Sequence, residues 1–440
     1  MNDTQALEYL DSFVNYEKES SRAYPEVFKL DRMRVLMREL GNPQNAFDSV
    51  IVAGSKGKGS TCLFLSSILR MENLKVGLYT SPHLLDVRER IQVNGLWISE
   101  ARFTEQLSKF KKIFEEYSWR KNLPTYFEVL TALAFCHFKE LKVQVAVLEV
   151  GLGGLYDSTN VVSSKVAGLV PISLEHTDKL GKTVSKIAVQ KCGVIKGREI
   201  VVSSAQSSEA ANVIEAACLD REAELFRVGK EIRVQERDFT EDTQRFDIKT
   251  PWGNFYDLET RLRGRHQLEN AAVAIGLAKA LEKKVPRLSV SEEAVRQGVS
   301  DARWPGRLEK IADRPRVVLD GAHNVDSARK MLEGIKRHFR FSDLILVFGS
   351  SADKDVEGMI REVLTEADCL IVTQSSHPRA MPAQKIASLI ENSGKEVFVE
   401  ASAKNALEKA RSLADADDLI VVTGSLYLVG EMRQQLFGGG

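Results

Sequence analysis

The sequence predicts two α/β domains in tandem, each a largely parallel sheet with helices on both faces. Three observations carry this expectation. Apolar runs of strand length alternate with helical stretches from residue 49 to residue 283. The same rhythm restarts after a stretch punctuated by proline and glycine, Asp301-Ala302-Arg303-Trp304-Pro305-Gly306. The chain has 440 residues, long for one hydrophobic core and comfortable for two. The expected domains are residues 1–302 and a smaller unit, residues 307–440.

The elements follow in order. After an opening helix, 49–53 reads as a short strand running into a glycine-rich loop. Residues 60–73 read as a helix with Leu63, Leu65, Ile68 and Leu69 on its apolar positions, and 76–80 as the next strand. Residues 126–139 read as a buried helix, and 143–150 and 166–173 as apolar strands. A helix through Lys191 and a strand at 199–203 complete this run. The stretch 225–262 has short alternating runs and a turn at Pro251-Trp252-Gly253, which predicts a small antiparallel insertion. An alanine-rich helix is expected at 267–283. Beyond the linker, strands are expected at 316–320, 343–349, 369–373, 396–400 and 418–423, separated by helices. Gly438-Gly439-Gly440 reads as a frayed end.

Composition narrows the function classes. Acidic and basic side chains balance at 61 each, so no global field favours nucleic acid or an anionic membrane. The 5 cysteines (Cys62, Cys136, Cys192, Cys218, Cys369) are scattered and lack C-x-x-C spacing, which argues against a disulfide framework and a zinc site. The N-terminal residues carry no basic start followed by an apolar run, and no stretch approaches about 18 uninterrupted apolar residues. A cytoplasmic protein is expected, with small-molecule rather than nucleic-acid or membrane partners.

The sharpest local signal is Gly54-Ser55-Lys56-Gly57-Lys58-Gly59-Ser60-Thr61, set between a strand and a helix. Glycines let backbone amides turn onto phosphate oxygens, the helix N-terminus adds its dipole, and Lys58 supplies a charge for the outer phosphates. The strict G-x-x-x-x-G-K-[ST] pattern is not met, since Gly59 follows the lysine and Val52 stands where the first glycine belongs. The strand–loop–helix setting still predicts nucleotide triphosphate binding. Glu149 ends an apolar strand and leads into Val150-Gly151-Leu152-Gly153-Gly154; alone it suits a metal ligand or a strand-end charge equally. His176, beyond the next apolar run, reads on its own as a packing or loop residue, and Lys191 as an ordinary helix-end lysine.

Taken in order, GSKGKGS, YTSPHLLDVRERIQVNG, TYFEVLTALAF, VLEVGLGGLYDSTN and EHTDKLGKTVSKIAVQKCGVIK resemble the folylpolyglutamate synthase/dihydrofolate synthase family of the Mur ligase superfamily. The resemblance continues through RGRHQLENAAVAIG, ARWPGRLE, VVLDGAHN, FGSSADKD and VVTGSLYLVG and so spans nearly the whole chain. It implies an N-terminal P-loop-type ATPase domain with a smaller Rossmann-like α/β domain, and an ATP-dependent ligase that adds L-glutamate to a folate or dihydropteroate carboxylate.

The resemblance also implies roles by position. Gly54, Ser55, Lys56, Gly57, Lys58, Gly59 and Ser60 would hold the ATP phosphates, with Asn270, Arg307 and Asp320 reaching the nucleotide. Ser81, Glu149 and His176 resemble magnesium ligands, and Lys191 the lysine that the family carbamylates to hold a second magnesium. Arg90, His323 and Ser425 fall near the glutamate, His323 and Lys191 among the catalytic positions, and Thr125 and Tyr156 near the pterin. Asp353 and Lys354 suit either a solvated loop or the active site. The family makes a monomer the expected state. Leu155 and Ser158 replace the arginine and alanine of the usual GGRxDATN, Lys56 the asparagine of GTNGKGS, and Glu175 the aspartate before the histidine. Leu155 bears on substrate choice, because a leucine cannot pair with a carboxylate. The rivals are a Mur-type peptidoglycan precursor ligase and a P-loop nucleotide hydrolase or switch without ligase activity.

Overall fold

The computed structural model describes residues 1–16, 30–115, 119, 122–390 and 394–437. The terminal glycines expected to fray lie outside them. The N-terminal half is an 8-stranded sheet in the order β4-β3-β2-β5-β1-β6-β7-β8. Its strands are β1 Asp48–Ala53, β2 Val76–Tyr79, β3 Ile91–Val93, β4 Leu96–Trp97, β5 Val145–Glu149, β6 Val166–Leu169, β7 Ile200–Ser203 and β8 Glu224–Arg227. From β2 across to β8 all neighbours are parallel, and β3 and β4 add an antiparallel edge. The parallel strands are buried along their length because helices cover both faces, which is why they read as unbroken apolar runs. The helices Lys58–Met71, Arg265–Lys284 and Glu292–Asp301 pack with one face, and Asp3–Asp11, Glu100–Phe114 and Tyr126–Glu140 with the other.

A 3-stranded antiparallel sheet follows, β9 Arg233–Phe239, β10 Gln244–Thr250 and β11 Gly253–Thr260. The expected turn at Pro251-Trp252 joins β10 to β11. The expected start of the insertion at residue 225 is corrected: residues 224–227 pair in parallel with β7 and finish the large sheet. Periodicity misled here because an edge strand has one half-exposed face and so alternates like an antiparallel one. The strand expected at 166–173 ends at Leu169, and Pro171 turns its carbonyl to the Ser55 and Lys56 amides instead of to a sheet neighbour. The helix expected to run through Lys191 is two helices, Thr177–Leu180 and Val184–Cys192.

The C-terminal half is a 6-stranded sheet in the order β12-β13-β17-β14-β15-β16. The expected strands are β13 Arg316–Leu319, β14 Leu344–Phe348, β15 Cys369–Val372, β16 Glu396–Val399 and β17 Leu419–Thr423. The sequence reading missed β12, Glu309–Asp313, which forms an antiparallel hairpin with β13 straight after the linker. Separate apolar clusters fill the two faces of this sheet, one under Val325–His338 and Val356–Leu364, the other under Ala403–Leu413 and Leu426–Phe437.

Candidate active site

In the large sheet β1 leads across β5 to β2, whereas β5 leads across β1 to β6, so the connections diverge at the β1–β5 pair. Such a switch point opens a crevice at the carboxyl ends of the strands. The register puts Val52 beside Glu149, and the glycine loop and the buried carboxylate therefore emerge side by side. The helix Lys58–Met71 starts at Gly57, which lies in the left-handed region at φ 85° and brings no side-chain cap. Its first amides are left for a ligand rather than consumed by a serine or threonine. Any side chain at Gly57 would also strike the Asn270 amide, so loop and Arg265–Lys284 helix touch at this residue.

Lys58 curls back, its Nζ donating to the Gly54 carbonyl at 3.0 Å. Lys191, buried at 2% exposure, donates to the same carbonyl at 2.7 Å and to Glu175 at 2.7 Å. The ordinary helix-end lysine of the sequence is thus an internal cation beneath the glycine loop. Burial pulls its pKa down to about 8 against the opposing pull of Glu175. Burial also works against ionisation of Glu175, but Lys191 and Lys58 overcome it and hold that carboxyl at about 2. In the sequence Glu175 is only a departure from a motif, and its role as the counter-ion of Lys191 has no local signal.

Glu149 accepts the Ser81 backbone amide at 3.0 Å. Burial raises its pKa, opposed by Lys58, the Ser81 bond, Arg307 and Arg90. A buried carboxylate of this kind gains from a cation. Among the described residues no three His, Cys, Asp or Glu side chains gather into a cage that holds a metal alone. Magnesium needs no such cage, since it keeps waters and phosphate oxygens and takes one or two carboxylates. Glu149 and the adjoining Ser81 fit that mode. His176 adopts the left-handed region at φ 45°, and burial lowers its pKa, as do Lys58, Lys191 and Lys354 against Glu175.

The second sheet reaches the same crevice. Trp304 of the linker lies against Gly59, beside Glu149. Asp320 accepts the amides of Leu308 at 2.9 Å and Ala322 at 2.9 Å and so pins the linker to the end of β13; burial raises its pKa and Arg307 opposes this. His323 bonds the Gly321 carbonyl at 2.9 Å, and burial drops its pKa to about 4, with Lys56, Arg307 and Lys354 adding to the drop. Lys354 therefore faces the crevice with His176 and His323, with Asp353 at 3.1 Å as its partner. Ser425 sits one residue beyond Gly424, whose amide bonds the Ala322 carbonyl, so the Ser425 and His323 loops adjoin. Asp326 and Lys330 on Val325–His338, and the half-buried His266, also face this region and carry no signal in the sequence.

Arg90 is buried, donates to His83 at 3.0 Å and lies over Tyr126, near enough to Glu149 for its charge to act there. Thr125 exchanges hydrogen bonds with Glu128 in a capping box, so its hydroxyl already has a structural task. Tyr156 and Leu155 line the wall of a cleft of 670 Å³, with Arg34, Lys196 and Arg221. The amide of Leu155 bonds the Gln190 carbonyl, and this loop thereby packs directly on the backbone beside Lys191.

Residues 52–278 match the Mur ligase middle domain and residues 306–426 the Mur ligase glutamate ligase domain. A dihydrofolate synthase/folylpolyglutamate synthase of Bacillus subtilis is 34% identical over 92% of this chain and 94% of its own length. A folylpolyglutamate synthase of Lacticaseibacillus casei is 34% identical over 100% of both chains. Among solved structures, the Mycobacterium tuberculosis folylpolyglutamate synthase complexed with ADP has a TM-score of 0.88 at 30% identity, covering 99% of this chain and 98% of that one. Escherichia coli FolC in complex with DHPP and ADP has a TM-score of 0.87 at 28% identity, covering 100% and 98%. An ATP-dependent ligase is the class that the fold and crevice define. Within it, the chain belongs to the folylpolyglutamate synthase/dihydrofolate synthase family of Mur ligases and is an ATP-dependent folate glutamate ligase. No helix among the described residues is long and apolar enough to cross a membrane.

Proposed function

We propose that the chain phosphorylates a carboxylate of dihydropteroate or of a folate glutamate chain and passes the acyl group to the amino group of L-glutamate. A carboxylate resists amine attack because it is anionic and has no adequate leaving group. Conversion to an acyl phosphate removes both obstacles. The observation that carries this reading is the meeting, at the β1–β5 switch point, of the uncapped glycine loop, buried Glu149 and the Lys191–Glu175 pair.

In this reading Lys58 and the amides of residues 57–60 hold the outer phosphates, so that charge developing on the transferring group meets fixed donors. Asn270, Arg307 and Asp320 hold the nucleotide, with Asp320 acting partly by fixing the linker that carries Arg307. Ser81, Glu149 and His176 would hold magnesium, which supplies charge neutralisation at the phosphoryl oxygens. Lys191 is a candidate for carbamylation, because an amine titrating at about 8 is neutral far more often near pH 7 than an ordinary lysine. The carbamate would replace its pairing with Glu175 and offer oxygens to a second magnesium. His323, kept neutral by burial, can orient the incoming amine together with Arg90 and Ser425. Tyr156 and Thr125 remain the candidates for the pterin side, and Leu155 for the limit on which folate is used. A cytoplasmic monomer with its domain boundary at residues 303–306 completes the reading.

The reaction path is tested with heavy oxygen in both positions of the acceptor carboxylate and ordinary water. One labelled oxygen in inorganic phosphate for each amide formed, with unlabelled ADP, is expected. Label in AMP indicates adenylation, and unlabelled phosphate during amide formation excludes the acyl phosphate. A parallel set of dihydropteroate, tetrahydrofolate and UDP-muramoyl acceptors separates the folate reading from a peptidoglycan one.

A further inference from the structure

The 3-stranded sheet does more than extend the N-terminal half. Its β9–β10 tip reaches the second half of the molecule through contacts separate from that of Trp304. The carbonyl of Thr240 bonds His338 Nδ1 at 2.9 Å, and His338 Nε2 accepts the Gly264 amide at 3.2 Å. A carbonyl only accepts and an amide only donates, so these partners fix one neutral tautomer with its proton on Nδ1. Arg263, beside Gly264, donates to the carbonyls of Glu241 at 2.7 Å and Leu308 at 2.8 Å, and so bridges insertion and linker. The Glu241 carboxylate receives Lys310 at 3.0 Å and Arg316 at 3.3 Å from the β12–β13 hairpin. Arg337 lies over the Phe239 ring at 4.2 Å.

The positions of these contacts matter more than their number. Gly264 precedes the helix Arg265–Lys284, which carries Asn270 against the phosphate loop. His338 ends the helix Val325–His338, whose first turns carry Asp326 and Lys330 toward Lys56 and His266. That helix is about 21 Å long, so a tilt at His338 displaces its other end at the nucleotide. One imidazole thus couples the last turn of one nucleotide-facing helix to the residue that precedes another.

We infer that His338 is a positioning residue: with the β9–β10 tip it clasps the two halves of the molecule in the alignment that binds ATP. The inference rests on the reading that ATP sits at the glycine loop. Loosening the clasp lets the halves sample misaligned arrangements, and the apparent affinity for ATP falls by the fraction that remains aligned. Saturating ATP pulls the population back, so turnover at saturation is retained.

The test compares His338→Ala and His338→Asn in the full chain. Asparagine keeps an amide donor near the Nδ1 position for Thr240 and loses the acceptor for Gly264. For His338→Ala the expected result is KM for ATP raised about tenfold with kcat within about twofold, and faster deuterium exchange in the peptide containing Gly264. His338→Asn should show the same faster exchange at Gly264 and a smaller rise in KM. A fall in kcat at unchanged KM would mean loss of folded enzyme and would overturn the positioning role, as would unchanged exchange at Gly264. Failure of the ATP reading shows elsewhere: Lys58→Ala would then turn over normally, while exchange at Gly264 would still report the clasp. If His338→Ala does not fold, Glu241→Gln, which weakens the same clasp through Lys310 and Arg316, must raise KM for ATP in the same manner; an unchanged KM there defeats the proposal.

Discussion

At the carboxyl edge of the 8-stranded sheet, Lys58, Glu149, Glu175 and Lys191 crowd together with their charges set against one another. At the carboxyl edge of the 6-stranded sheet the buried groups are mostly neutral. Ser350, Thr373 and Thr423, at 2%, 0% and 1% exposure, lie at or just beyond the ends of three adjacent strands, and their hydroxyls have no partner among the described residues. Both edges are switch points of doubly wound sheets, so topology opens a crevice in each. What fills the crevice differs, and that separates an edge suited to polyanions and metal from one suited to hydrogen-bonded positioning. Fold supplies the place; the chemistry comes from the side chains.

The largest effect expected from breaking this contrast is at the charged edge. Lys58→Ala should reduce ligation on the order of 100-fold or more, measured as the rate of ADP and amide formation, because in the proposed reading its charge acts on the transferring phosphoryl group. Turnover at the native level would mean that the loop does not bind triphosphate.

Lys191 sharpens the contrast through pH. With a pKa of about 8, its neutral fraction rises as pH climbs from 6.5 to 8, whereas an ordinary lysine stays charged across that window. Activation by bicarbonate, followed together with mass gained at this side chain, should rise over the same window and be absent in Lys191→Ala. A bicarbonate response that persists in Lys191→Ala would locate the effect elsewhere.

A smaller effect is expected where the two edges are held together. Gly430, on the helix Leu426–Phe437, lies so close to the 81–85 loop that a Cβ there would stand 2.5 Å from the Leu84 carbonyl. Gly430→Ala should push this helix from the loop that carries Ser81 and cost about tenfold in kcat/KM, with the secondary structure unchanged by circular dichroism. Native kinetics would show that the contact is not coupled to the site.

The smallest effect belongs to the neutral edge. Thr373→Val exchanges an unpartnered buried hydroxyl for a methyl group of similar shape, so stability should shift by less than about 1 kcal/mol in either direction in urea unfolding. A larger loss would reveal a hydrogen bond that this hydroxyl makes in solution.

The strand–loop–helix at residues 49–73, the βα rhythm of both halves and the ordered motifs that identify the family were legible in the sequence. Each of these is local: hydrophobic period, glycine placement and strand length are written in neighbouring residues. The sequence did not reveal that residues 224–227 finish the large sheet, because an edge strand and an antiparallel one alternate alike. Nor did it reveal the burial of Lys191, which depends on a carbonyl 137 residues away and on Glu175 across the crevice. The motifs marked Lys191 for attention; only the tertiary structure gave it a depressed pKa, since desolvation is a property of the surroundings and not of the residue. The contact between the β9–β10 tip and His338 is of the same kind. Neither segment carries a motif, and their pairing exists only because chain folding brings an insertion and a distant helix end to one place.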